Sequence, residues 1–269
     1  MDGTGFKEGL SVPQTETVDD SVDGSLDILD PSQESPSDIM RQLEATSEEA
    51  IAAANKRINQ INKRISGIEA SLQAPGLSEG EKDKLQVDLL WGKVDMAKKE
   101  GERSKKVVDQ VNQFIKPRFE SGKTLALDIP DSGFGRYEVE SFDASTGEYQ
   151  LKKDGASVKV DRLVVETSVS AKSLPVLEND YIPGLGRVYE VSGDNVRLSG
   201  KDESIPLKDV QREMARYLDT GLVAKQELTQ AKAFEENLMN QIVERDKNNA
   251  NKKIDEVRNR IDNIFKNAA

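Results

Sequence analysis

Residues 51–76 read IAAANKRINQINKRISGIEASLQAPG, and this stretch decides the architecture. Ile51, Ala54, Ile58, Ile61, Ile65, Ile68 and Leu72 recur at alternating intervals of three and four residues, the 3.5-residue period of an apolar helix seam. Lys, Arg, Glu, Gln and Asn fill the intervening positions, so the spacing predicts a long helix with one buried stripe. Upstream, Pro36 suits a first helical position because it has no N–H to leave unpaired, which starts the helix near Ser37. Downstream, Ala74-Pro75-Gly76 ends it, since proline breaks the hydrogen-bond ladder and glycine accepts a left-handed backbone. Ser78 with Glu81 then has the spacing of a capping box and opens a second helix.

That second helix keeps the same period through Val87, Leu90, Val94, Ala97, Gly101, Ser104, Val108, Val111 and Ile115, and stops at Pro117. Gly101 and Ser104 thin the middle of its seam. Two heptad helices joined by a tight connection predict an antiparallel coiled-coil hairpin over residues 37–118. Each arm is about 50 Å long at about 1.5 Å per residue. A third helical segment is expected over 209–267, where Val210, Met214, Leu218, Leu228, Ala231, Leu238 and Ile242 form an apolar stripe. The polar run Glu244–Lys253 blurs its register before Ile254, Val257, Ile261 and Ile264 resume the heptad spacing. Asn251-Lys252-Lys253-Ile254 onward echoes Asn55-Lys56-Arg57-Ile58 onward. This helix is expected to pack back on the 79–116 helix.

Between the helices the character changes. From about 120 to 210, glycines, β-branched residues and period-2 alternation take over. Strands are expected at Thr124–Ile129, Arg136–Phe142, Glu148–Lys153 and Ser157–Val165, then at Ser173–Glu178, Arg187–Ser192, Asn195–Ser199 and Ser204–Leu207. The two sets read as an internal duplication. Gly135-Arg136-Tyr137-Glu138-Val139 matches Gly186-Arg187-Val188-Tyr189-Glu190-Val191 with one insertion. Tyr149, Leu151, Val158, Val160 and Leu163 align at a constant offset with Val196, Leu198, Ile205, Leu207 and Val210.

Several cues in this segment recur in one family of small domains: an opening strand, a Gly-Arg start to the next, a polar hairpin turn, an Asp154-Gly155 turn, and a closing Val158-x-Val160-x-x-Leu163. In these the segment resembles tandem SH3-like barrels of the KOW and Tudor type. The resemblance implies two small barrels at 120–167 and 172–208, or one larger barrel holding both. It also implies binding to nucleic acid or to a protein partner, and in Tudor-like members a rim of aromatic rings that takes a methylated cation. Tyr137 shares a strand face with Val139 and is expected in the core. Phe142, Tyr181 and Tyr189 are therefore the candidate partner-binding rings. The fold class is α+β: a long antiparallel coiled-coil hairpin, a central tandem SH3-like β module, and a long C-terminal helix returning along the coiled coil.

Composition narrows function. Among 269 residues there is no cysteine and no histidine, which excludes thiol and imidazole nucleophiles, bases and metal ligands. Glu138 and Glu140 share an outward strand face, and Gly184-x-Gly186 lacks the following helix that phosphate cradling needs. Asp143–Glu148 and Asp194–Glu203 contain acids near turns, but neither run matches EF-hand spacing. No cofactor, metal site or catalytic role is expected. The net charge of −11 is uneven. Residues 1–36 carry one Lys against nine acids and read as a disordered acidic tail. Residues 120–210 have 11 basic and 17 acidic residues, whereas the helical segments are close to neutral.

No apolar run reaches membrane-spanning length and no secretory signal opens the chain, so a cytoplasmic protein with no membrane partner is expected. The acidic β segment argues against nucleic acid, because phosphate binding needs basic surface. These features together point to a non-catalytic scaffold or adaptor whose β module meets a protein partner with a basic surface, with homo-oligomerisation through the coiled coil as a further possibility. The alternative is a nucleic-acid-associated factor using Lys56-Arg57, Lys63-Arg64, Lys98-Lys99 and Arg103–Lys106 on the helices.

Overall fold

The computed structural model describes residues 36–268, with side chains through Arg260; the expected acidic tail lies outside the described residues. Helix α1 spans Pro36–Leu72 and α2 spans Glu79–Phe114. At the start of α2 the Ser78 hydroxyl accepts from the Glu81 N–H (3.3 Å), and the Glu81 carboxylate accepts from the Ser78 N–H (2.9 Å). Two otherwise orphaned backbone donors are thus satisfied reciprocally. Of the seam residues, Ile58, Ile65, Val94, Val111 and Ile115 are buried. Ile51, Ile61, Ile68, Leu72, Leu90 and Val108 are half-buried.

After α2 come β1 (Thr124–Ile129), β2 (Gly133–Asp143), β3 (Glu148–Lys153), β4 (Ala156–Asp161) and the short helix α3 (Arg162–Ser168). A second series follows: β5 (Tyr181–Ile182), β6 (Gly186–Ser192), β7 (Asn195–Leu198) and β8 (Ser204–Pro206). The chain ends in one 62-residue helix, α4 (Leu207–Ala268). The fold is mixed α+β, with two antiparallel four-stranded sheets in the orders β1-β2-β3-β4 and β5-β6-β7-β8.

Neither sheet closes into a barrel, which corrects the expectation of SH3-like barrels, single or tandem. β1 and β4 stay at opposite edges of the first sheet, β5 and β8 at opposite edges of the second. The closing segments also change type. Leu163 and Val165, expected in a strand, lie in α3, and Asp161 caps that helix by accepting from the Leu163 N–H at 2.9 Å. Both side chains join the core that the strands build. A helix therefore covers apolar sheet surface that closure would have enclosed. Residues 174–178 are likewise not a strand; a 3-10 turn at Ala171–Ser173 precedes them.

The duplication has a structural counterpart, in a register that differs from the sequence alignment. Tyr149 pairs with Val160 and Val196 with Ile205. The β3 and β7 positions thus match at an offset of 47, the β4 and β8 positions at 45. Both second strands carry a bulge, after Val139 and after Val188. Each sheet hands over to a helix at the same point, Arg162 in one and Leu207 in the other. Glu166 and Gln211, at equivalent places in those helices, are both buried polar side chains.

One contiguous core holds these parts together. It contains Leu127, Tyr137 and Leu151 of the first sheet and Ile182, Val188 and Val196 of the second. Phe114 and Ile115 at the end of α2, and Met214 and Leu218 near the start of α4, complete it. The sheets therefore sit at the end of the helices where α2 finishes and α4 begins. Away from them, α4 runs antiparallel to α2. Glu227 pairs with Arg103 (2.5 Å), Glu235 with Lys98 (3.8 Å), and Arg245 reaches Asp83 and Gln86.

Small residues on α2 make this possible. A Cβ at Gly101 would stand 3.6 Å from Leu228 and 3.7 Å from Ala231 of α4. The Ser104 hydroxyl donates to Glu227 at 3.0 Å. Gly92 serves α1 instead, where a Cβ would come within 3.1 Å of Ile65. The gap in the α2 seam is where the third helix docks. Among the described residues no helix is long and apolar enough to cross a membrane.

Candidate interaction surfaces

Pro117 ends α2 and turns the chain towards β1, which carries Arg118 into the centre of the molecule, where it is 4% exposed. Its backbone N–H donates to the Glu166 carboxylate (2.8 Å) and lies 2.9 Å from the Tyr149 hydroxyl. That hydroxyl donates in turn to Glu166 (2.8 Å). On the other side of Glu166, Arg162 donates from Nε at 3.0 Å. Arg162 also reaches the Ile115 and Lys116 carbonyls, the second at 3.0 Å, and so satisfies acceptors at the end of α2. The Arg118 guanidinium pairs with buried Asp180 at 2.5 Å, and Asp180 also accepts from the Leu177 N–H.

Two arginines and two carboxylates thus meet where α2, α3 and the approach to the second sheet come together. Burial pushes the Glu166 carboxyl above the usual range, against the pull of Arg162 and the donors from Tyr149 and Arg118. Burial, with Glu166 beside it, also pushes the Tyr149 phenol up. The chemistry of this cluster is cross-bracing. Its charges are opposed in pairs within the core and are not turned to solvent.

The three rings expected to bind a partner have different placements. Tyr181 is 4% exposed, packs on Phe114 with ring centroids 5.3 Å apart, and donates its hydroxyl to Glu44 of α1 at 2.6 Å. It fastens α1 to the second sheet and has no free face, which takes it off the rim the sequence suggested. Burial, aided by Glu44, raises its phenol well above the ordinary value. Phe142 is half-buried against Tyr149, with centroids 4.9 Å apart. Tyr189 is open, at 68% exposure, and stands at the β6 bulge. No ring contact among the described residues joins two of the three.

Among the described residues the most exposed ring is Phe134 on β2, at 75%, which is not one of the three candidate rings. Its signal was available: Phe134 has the parity of outward-facing Arg136 and Glu138, opposite to buried Tyr137 and Val139. The β region therefore presents one open aromatic ring on each sheet within an acidic surface.

The helices offer two further surfaces. Ile51 and Asn55 of α1, Val107 of α2 and Val223 and Ala224 of α4 line a cleft of about 480 Å³, with the Arg103–Glu227 pair at its wall. Along α1, Lys56, Arg57, Lys63 and Arg64 are all exposed, and no acid occurs between Glu49 and Glu69. By contrast Lys98, Lys99 and Arg103 of α2 are each paired with a glutamate. The described residues contain no group of His, Cys, Asp and Glu able to hold a metal ion. No family model, curated protein or solved structure matches the chain.

Proposed function

We propose that this protein is a non-catalytic scaffold or adaptor whose acidic β region, carried at one end of a helical stalk, binds a protein partner with a basic surface. The observation that carries the reading is the coincidence of charge and open rings. Residues 120–210 hold 17 acids against 11 basic residues, and Phe134 and Tyr189 stand exposed among them. Exposed aromatics inside a field of one sign are what anchor and steer a complementary partner. In the same reading α1 and α2 form an antiparallel coiled coil, supported by the 3-4 spacing and by the close approach of Ile65 to Gly92. The sheets are open relatives of the SH3-like meander.

The test is affinity capture with the whole chain against its Phe134→Ala/Tyr189→Ala variant. A partner retained at low salt, lost at high salt and lost by the variant is the expected result. Retention that ignores both salt and the two rings refutes the reading.

A second reading rests on Lys56, Arg57, Lys63 and Arg64, two pairs of exposed cations about two turns apart on α1 with no acid between Glu49 and Glu69. Such a strip suits a polyanion, nucleic acid included. It predicts a salt-dependent shift of labelled RNA or DNA that Lys63→Glu/Arg64→Glu abolishes.

A further inference from the structure

Helix α4 carries two apolar stripes, and its own chain uses one of them. The first contains Leu238 and Ile242, which are buried against Val94 of α2. It ends where Arg245 bonds Asp83 and Gln86, within two turns of the α2 start at Glu79. The second begins at Val243 and continues through Ala250, Ile254 and Val257. At 3.6 residues per turn it lies about a third of a turn away from the first. Val243 is 58% exposed, Ile254 50% and Val257 54%, and every residue from 251 to 260 is exposed. The helix continues to Ala268, and in sequence Ile261 and Ile264 prolong the stripe at the same spacing.

The positions form one heptad series: Val243, Lys247, Ala250, Ile254, Val257, Ile261. Its flanking charges are segregated. Glu244 and Asp246 stand at the beginning, Lys253, Arg258 and Arg260 further along. A parallel pairing of two copies sets Lys253 against Arg258 of the second copy, like against like. An antiparallel pairing centred on Lys252 does the opposite. It sets Val243 opposite Ile261, Lys247 opposite Val257 and Ala250 opposite Ile254. It also brings Glu244 to Arg258 and Asp246 to Arg260, each contact occurring twice by symmetry. Among the flanking charges only Lys253 meets its own copy across the axis, beside the uncharged Asn251, which does the same. Shifting this register by one heptad towards the C-terminus puts Lys253 on Arg260 instead.

We propose that the outer stripe of α4 is a homotypic docking surface, on which two copies of the chain pair antiparallel through residues 243–261. The surface is separate from the β region and does not depend on what that region binds. Lys247, already paired with Glu244 at 3.7 Å, places one polar side chain in the seam. Such a residue fixes register at a cost in stability, and its aliphatic stem covers Val257 while the ammonium stays wet. The pairing also gives the projecting end of α4 something to pack on, which an isolated helix of this length lacks in water.

The experiment is a solution mass measurement of the full chain at low salt, with thermal unfolding as a control for folding. The wild type is expected at twice the chain mass. Ile254→Glu/Val257→Glu is expected at the chain mass with a cooperative melting transition retained, at or below the wild-type midpoint, since both side chains are exposed and only the pairing is lost. Arg258→Glu/Arg260→Glu and Glu244→Arg/Asp246→Arg are each expected to be monomeric, and the combination of all four to restore the dimer. A monomeric wild type, a dimer that survives Ile254→Glu/Val257→Glu, or a fourfold variant that stays monomeric overturns the proposal.

Discussion

Gly101 and Gly221 both lie inside helices at the contact between α2 and α4, yet replacing each by alanine is expected to move stability in opposite directions. Glycine inside a helix costs about 1 kcal/mol relative to alanine, so that gain is common to both substitutions. At Gly101 the new methyl meets Leu228 at 3.6 Å and Ala231 at 3.7 Å, ordinary van der Waals contact. Burying it adds up to about 0.8 kcal/mol, and Gly101→Ala is expected to stabilise by about 1–2 kcal/mol. At Gly221 the methyl would stand 3.1 Å from both Cγ atoms of Val111 and 3.2 Å from its Cβ. Val111 is 1% exposed and, being β-branched in a helix, has one strongly preferred rotamer. It has little room to yield. Overpacking of this kind costs about 1–3 kcal/mol, which cancels or exceeds the propensity gain. Gly221→Ala is thus expected between neutral and about 2 kcal/mol destabilising.

Urea unfolding followed by helical circular dichroism, extrapolated linearly, reads both values. Val111→Ala combined with Gly221→Ala supplies the internal control, because the truncated side chain removes the clash and the two changes must couple. Equal stabilisation by both glycine replacements, or additivity in the double variant, would show that the helices do not meet as described.

Two other expectations concern polar contacts. Because burial raises the Glu166 carboxyl above its unfolded value, the folded state binds the proton more tightly. Its contribution is complete below the ordinary carboxylate range and is lost as pH rises through the elevated folded value; the pH dependence of the urea midpoint should show this decline, and Glu166→Gln should flatten it. Tyr181→Phe removes the bond to Glu44 and is expected to cost about 1 kcal/mol. It should also raise amide exchange at the start of α1 relative to α4; unchanged protection there would mean that the contact does not fasten α1.

The helical hairpin was legible in the sequence because its signal is periodic and redundant: seven apolar positions in α1 repeat one rule, and Pro36, Pro75-Gly76 and Ser78 mark the ends. The sheets were legible only modulo two residues. Alternation returns to phase after a two-residue shift, so the offset of 47 that holds for Tyr149 and Val196 gives the same apolar pattern as the offset of 45 at which β4 and β8 match. The same alternation carried the expected strand past Asp161 to Val165, because a strand that ends in a capped helix keeps its apolar residues on the core side. Arg118, Arg162, Glu166 and Asp180 were illegible for a different reason. Charged residues are almost never fully buried unless paired. Arg118 and Asp180 lie far apart in sequence, and Arg162 and Glu166, four residues apart, meet only because a helix replaces the end of the expected strand. Tyr181 was misplaced because nothing in its neighbourhood announces Glu44, more than a hundred residues earlier.

The polar run at Glu244–Lys253 was the feature of the C-terminal helix that looked most like noise, and the structure gives it a physical role. A single heptad stripe continued from Leu238 and Ile242 to the end of α4 would point at α2 along its whole length. But α2 begins at Glu79, and Arg245 is already beside Asp83, so apolar residues continued on that face would meet water. The sequence instead closes the inner seam with Arg245 and sets apolar residues on the outer face from Val243 onward. Stripes a third of a turn apart cannot both be apolar over the same residues without wrapping most of the helix in hydrophobic surface. The changeover must therefore be polar, and it is there that Glu244, Asp246 and Lys247 stand. The same few residues that end the contact with α2 thus supply the acidic flank that an antiparallel partner bearing Arg258 and Arg260 requires.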